Sequence, residues 1–139
     1  TQLINVFELD PEGSGNWLVD LPGYGFAKAP KTEMERWRKM IEEYLLESET
    51  LGAVVLLIDS AVGPTRLDLQ TIEWLDHIDL PYRFVATKED KVRSSKRGAR
   101  KTDLVNKLGV EKKDVLWVSV MTGAGIPKLR AEILDYFSD

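Results

Sequence analysis

Apolar residues repeat along this chain with two periods, and the two periods alternate. Residues 3–9 read as a strand, and the turn-rich Asp10-Pro11-Glu12-Gly13-Ser14-Gly15 leads at hairpin spacing into a second strand over 16–21. Residues 33–46 change to helical spacing, with Met34, Trp37, Ile41, Tyr44 and Leu45 on one stripe and charged residues opposite. Thr32 stands before this helix as an N-cap, with Glu35 in capping-box position. Residues 53–58 are a continuous apolar run, the pattern of a strand covered on both faces. Thr65 caps a further helix in which Leu69, Ile72 and Leu75 recur. A strand over 82–86, a basic helix over about 94–108 and a strand over 115–118 follow. The last helix carries Ile126, Leu129, Ile133 and Phe137 on one face.

Strand and helix alternate throughout, which predicts an α/β domain with a mostly parallel sheet flanked by helices. The strand ending at Leu9 is the antiparallel exception. At 139 residues the chain is expected to be one domain, 1–139, large enough for a core of its own. It has no cysteine and a single histidine, His77, which excludes disulfides, thiolate chemistry and His-based metal clusters. The run 53–58 is too short to span a bilayer and no signal-peptide pattern opens the chain, so no membrane is expected and a cytoplasmic or organelle-matrix location is.

Charge is unevenly distributed. Residues 1–80 hold 15 acidic and 6 basic side chains, net −9, whereas 81–139 hold 8 and 13, net +5. Lys91, Arg93, Lys96, Arg97, Arg100 and Lys101 fall within eleven residues that contain no acid. A solvated helix face and an RNA-phosphate patch both carry this pattern. The expectation is contact with RNA, with Val92, Ala99 and Leu104 packing one side and the arginines and lysines outward.

Three polar elements each close a strand-like segment, where open α/β sheets bind ligands. Asp20-Leu21-Pro22-Gly23 closes the second strand, and in nucleotide hydrolases a carboxylate there holds Mg²⁺ while the glycine N–H meets the terminal phosphate. Thr87-Lys88-Glu89-Asp90 follows the strand over 82–86. Asp90 can accept from the ring N–H and exocyclic amine of guanine, a donor pair that adenine lacks, and the Lys88 stem can lie along the base. Ser119-Val120-Met121 closes the penultimate strand and would offer backbone N–H groups to the guanine carbonyl, with Gly123 and Gly125 keeping the loop flexible. A solvated turn would carry any one of these elements; their order along the chain reads as a guanine-nucleotide site.

With these residues in place, the chain resembles the TRAFAC-class P-loop GTPases, most closely the EngB family of ribosome-biogenesis GTP-binding proteins. The stretches that carry the likeness are Thr1-Gln2-Leu3-Ile4-Asn5 and Leu18-Val19-Asp20-Leu21-Pro22-Gly23-Tyr24-Gly25-Phe26-Ala27-Lys28, then Gly63-Pro64-Thr65 with Leu67-Asp68, and Thr87-Lys88-Glu89-Asp90. The resemblance implies a three-layer small G-protein-like domain that binds GTP or GDP with Mg²⁺. In it Thr1 is the switch I threonine on the metal, Asp20 and Gly23 form switch II, Lys88 and Asp90 read the base, and Ser119 and Val120 make the last guanine contact. It also implies a GTPase that assists assembly of the large ribosomal subunit, working as a monomer on subunit precursors and rRNA, with links to the cell cycle and septation. The competing expectation is a non-hydrolysing G-domain-like module that binds ribosomal particles. Tyr24 stands where Ras-like proteins carry the water-orienting glutamine, so slow intrinsic hydrolysis is expected. The phosphate loop G-x-x-x-x-G-K-[ST] and the strand before it are absent from these 139 residues. The chain therefore reads as the downstream portion of a longer G domain.

Overall fold

A computed structural model describes residues 5–9, 15–21, 31–47, 51 and 53–137. They fall into two compact units, Thr1–Leu51 and Gly52–Asp139.

In the first unit β1 (Asn5–Glu8) pairs antiparallel with β2 (Trp17–Asp20), Asn5 opposite Asp20 and Glu8 opposite Trp17. This is the antiparallel exception that the hairpin spacing predicts; of the turn expected over 10–15, residues 10–14 lie outside the described residues. The helix α1 (Lys31–Glu47) buries Trp37, Ile41 and Leu45, while Tyr44 is half-buried, so the predicted stripe is the buried one. The Met34 side chain lies outside the description. Helix begins at Lys31, which puts Thr32 inside the first turn rather than at the N-cap.

The second unit is a parallel sheet in the order β3 (Val54–Asp59), β4 (Tyr82–Thr87), β5 (Val115–Trp117). Val54 lies opposite Tyr82 and Asp59 opposite Thr87, and Phe84 lies opposite Val115, so all three carboxyl ends meet at one edge. Each crossover carries a helix, α2 (Arg66–His77) and then α3 (Arg97–Leu108), and α4 (Ile126–Asp135) closes the unit. Val85, Leu116 and Val118 form a buried cluster on one sheet face, packed by Val55 and by Ile126 and Leu129 of α4. Arg83 ties β4 to the same helix through both Glu132 carboxylate oxygens, at 3.1 and 2.9 Å, and its guanidinium also donates to the Asp114 carbonyl.

Three expectations are corrected here. The described residues do not cover both faces of β3: Leu56 and Ile58 are buried, but Leu57 is 58% exposed. Among the described residues β3 is paired along one edge only, and the α4 cluster reaches Val55 without reaching Leu57. In α2 Leu69 is exposed, because Thr65 and Asp68 set the start of the helix and turn Asp68, Thr71 and Leu75 inward. In α3 Ala99 is exposed, and Val105 joins Val92 and Leu104 in the interior.

Candidate functional site

At the carboxyl edge of the sheet, chain direction and hydrogen bonds bring the strand-end residues of the second unit together. β4 ends at Thr87, whose carbonyl accepts from Ser60 N–H at 2.9 Å, and whose hydroxyl donates to the Ile58 carbonyl at 3.3 Å. Lys88 then takes a left-handed backbone, φ 59° and ψ 36°. This geometry is uncommon for a residue with a Cβ and reverses the chain within one residue. A single 3₁₀ turn, Glu89–Lys91, follows, pinned by Glu89 N–H to the Val118 carbonyl at 3.2 Å. Asp90 is thereby carried towards β5.

There the Asp90 carboxylate meets Ser119. The Ser119 hydroxyl donates to Asp90 Oδ1 at 2.7 Å and accepts from Thr122 N–H at 3.2 Å. Ser119 is only 1% exposed and Asp90 is half-buried, so this charge-assisted hydrogen bond is partly shielded from solvent. Asp90 Oδ2 has no partner among the described residues. The sequence assigns Ser119 a backbone role, but its side chain is what holds Asp90. Val120 and Met121 project from the same loop, 83% and 79% exposed. The loop is closed by Ser119 N–H to the Ala124 carbonyl and Gly123 N–H to the Ser119 carbonyl, both 2.9 Å. Gly125 does not serve flexibility here. Its φ is +72°, and a Cβ would run into the Trp117 carbonyl.

The residue that sequence reasoning missed is Asp59. It closes β3 beside Thr87, and its Oδ2 lies 3.1 Å from Lys88 Nζ. Its Oδ1 accepts from the N–H groups of Ala61 at 2.8 Å and Val62 at 3.2 Å. Partial burial pushes the Asp59 carboxyl up, but the Lys88 ammonium and the two N–H donors outweigh it and leave the group below its ordinary range. The available signal was a carboxylate ending a six-residue apolar run at a strand terminus.

The basic segment divides. Lys91, Arg93 and Lys96 are exposed. The other three turn back onto the protein, which corrects the expectation of an outward row: Arg97 donates to the Val92 carbonyl at 2.9 Å and Arg100 to the Ala61 carbonyl at 3.0 Å. Lys101 pairs with Glu89 at 3.4 Å and lies 4.9 Å above the Trp117 ring. Ala61 and Glu89 follow closely on the ends of β3 and β4, so Arg100 and Lys101 brace the strand ends, while Arg97 braces the turn that ends at Val92.

Asp20 ends β2 in the first unit and is exposed, and Leu21 beside it is half-buried. Thr1, Pro22, Gly23 and Tyr24 lie outside the described residues. Among the described residues no group of three or more acidic, histidine or cysteine side chains could hold a metal ion, and no helix is long and apolar enough to cross a membrane.

No protein-family model matches the chain. A probable GTP-binding protein EngB from Desulforamulus reducens is 42% identical over 138 residues, which cover 99% of this chain and 66% of the relative. Another, from Desulforapulum autotrophicum, is 42% identical over 133 residues, with 96% and 67% covered. A third, from Pelotomaculum thermopropionicum, is 50% identical over 97 residues, with 70% and 48% covered. The chain thus spans about two thirds, or less, of the length of these curated relatives. The crystal structure of a probable GTP-binding protein engB aligns with a TM-score of 0.76 at 21% identity, covering 98% of this chain and 84% of that one. At that identity the likeness bears on fold, and the fold is the α/β, parallel-sheet fold of the P-loop GTPases. By the identity and coverage of these relatives, the chain belongs to the EngB family of GTP-binding proteins.

Proposed function

We propose that this chain carries the base-reading part of a guanine-nucleotide site in a GTP-hydrolysing factor that assists assembly of the large ribosomal subunit. The observation that carries the reading is the Asp90 carboxylate. Ser119 Oγ anchors it at 2.7 Å, and its second oxygen has no partner among the described residues. A carboxylate aimed from one side meets the ring N–H and exocyclic amine of guanine together, whereas adenine sets an acceptor against it. The Lys88 stem lies along the base, and the exposed Val120-Met121 turn offers backbone N–H groups to the guanine carbonyl. The names of the relatives, probable GTP-binding proteins, support the same reading.

Asp20, an exposed carboxylate at a strand end, suits a hard cation that keeps most of its waters, and with Thr1 it would hold Mg²⁺. The metal would supply charge neutralisation at the β- and γ-phosphates. The proposed partner is a large-subunit precursor and its rRNA, approached through Lys91, Arg93 and Lys96.

The test is Asp90→Asn. GDP and GTP affinity should fall, on the order of 2–5 kcal/mol for a desolvated charge-assisted pair, and preference should move to xanthine nucleotides, because one acceptor becomes a donor. Unchanged GDP affinity refutes the assignment. Phosphate release from bound GTP then separates the hydrolase from a non-hydrolysing module that binds ribosomal particles.

A further inference from the structure

Lys88 would be free to swing if it stood alone, because its side chain is 61% exposed on a flexible four-carbon stem. Asp59 removes that freedom. Its carboxylate direction is set before the lysine arrives, since Oδ1 is held by the Ala61 and Val62 N–H groups, and the Ala61 carbonyl is itself held by Arg100 of α3. Oδ2 is left facing Lys88 Nζ at 3.1 Å. On the opposite side of the same four-residue stretch, Ser119 fixes Asp90. Lys88 also has a left-handed backbone, which residues with a Cβ keep only where their surroundings impose it.

From these contacts we infer that Asp59 is a positioning residue for base recognition: it ties the Lys88 ammonium towards β3, so that the stem lies across the strand ends as a fixed wall beside the Asp90 carboxylate. This rests on the guanine-nucleotide reading and adds a residue to it. An ion pair this exposed contributes little to folding by itself. Its consequence is preorganisation, since a ligand then meets a lysine whose rotamers are already restricted.

Asp59→Asn tests the inference, because an asparagine oxygen can keep both turn hydrogen bonds while the charge is lost. Tm should fall only slightly, because the pair is exposed, while GDP affinity falls by about fivefold, the coupling expected of a partly exposed pair. In a Lys88→Met background the same substitution should leave GDP affinity unaltered. Lys88 should also be acylated faster by an amine-reactive reagent in Asp59→Asn than in the unsubstituted protein, with Lys112 as internal reference. Equal GDP affinity with and without Asp59→Asn, or an equal loss in both backgrounds, would overturn the inference. If the unsubstituted protein bound no GDP, the nucleotide reading would fail instead. The acylation rate would still decide whether Asp59 restrains Lys88, an unchanged rate overturning the restraint.

Discussion

At Gly125 the chain turns with φ of +72° beneath the Trp117 carbonyl, where a side chain has neither the conformation nor the room. Gly125→Ala should therefore destabilise by about 2 kcal/mol or more, read as a lower urea midpoint at unchanged m. The loop it closes also holds Ser119 against Asp90, so the variant should bind GDP more weakly as well. Tyr82 is the strongest titration landmark. Burial, then the hydrogen bond to Asp76 and the Asp76 charge, push its phenol up to about 12. The folded state thus favours the neutral phenol. This contribution is complete below about pH 10, the ordinary tyrosine value, and is lost as pH rises towards 12. Tyr82→Phe should abolish that alkaline loss in urea titrations run on either side of pH 10. Asp59 has the opposite sign. Its lowered carboxyl contributes fully above the ordinary carboxylate range and loses that contribution as pH falls below that range through the lowered folded value.

Among the elements, α2 has its start written into its first residues. Thr65 Oγ1 accepts from Asp68 N–H at 3.1 Å while Asp68 Oδ2 accepts from Thr65 N–H at 2.8 Å, a reciprocal cap for donors that a helix start leaves unmatched. Thr65→Ala should cost about 1 kcal/mol of stability, visible in chemical denaturation, because the Asp68 N–H loses the Thr65 Oγ1 acceptor. Thr32 has the same residue type at a similar spacing, yet helix runs through it. A cap therefore follows from where the chain enters the helix, not from the residue alone. In α3 the decisive feature is which cations find carbonyls. Arg97 and Arg100 reach the Val92 and Ala61 carbonyls, so reversing their charge would loosen the strand-end turns along with any RNA contact.

Across the whole molecule, net −9 in residues 1–80 against six cations in eleven residues favours approach to a polyanion by one segment alone. The proposed rRNA contact falls on the exposed Lys91, Arg93 and Lys96, and among the described residues the Arg93 and Lys96 side chains make no bond to the strand-end residues. Arg93→Glu with Lys96→Glu should weaken association with large-subunit precursors and flatten its salt dependence, since fewer phosphate counterions are released. GDP titration of the same variant should match the unsubstituted protein. Precursor association unaltered at every ionic strength would remove the RNA surface from the proposal.

What the sequence determined by itself was every described strand and α-helix, though none of the 3₁₀ turns, because each depends on period and local chemistry: hairpin spacing for β1 and β2, an apolar run for β3, Thr65 for the start of α2. It also placed Lys88, Asp90 and Ser119 at strand ends, since a polar cluster after an apolar strand marks that edge of a parallel sheet. The side-chain partnerships waited for the tertiary structure. Asp59 and Lys88 are 29 positions apart in sequence, as are Asp90 and Ser119, and only parallel register makes neighbours of residues so separated. The exposure of Leu57 and the inward turn of Arg97, Arg100 and Lys101 have the same origin. Pattern gives the face that a residue occupies, but whether another element reaches that face is settled by packing.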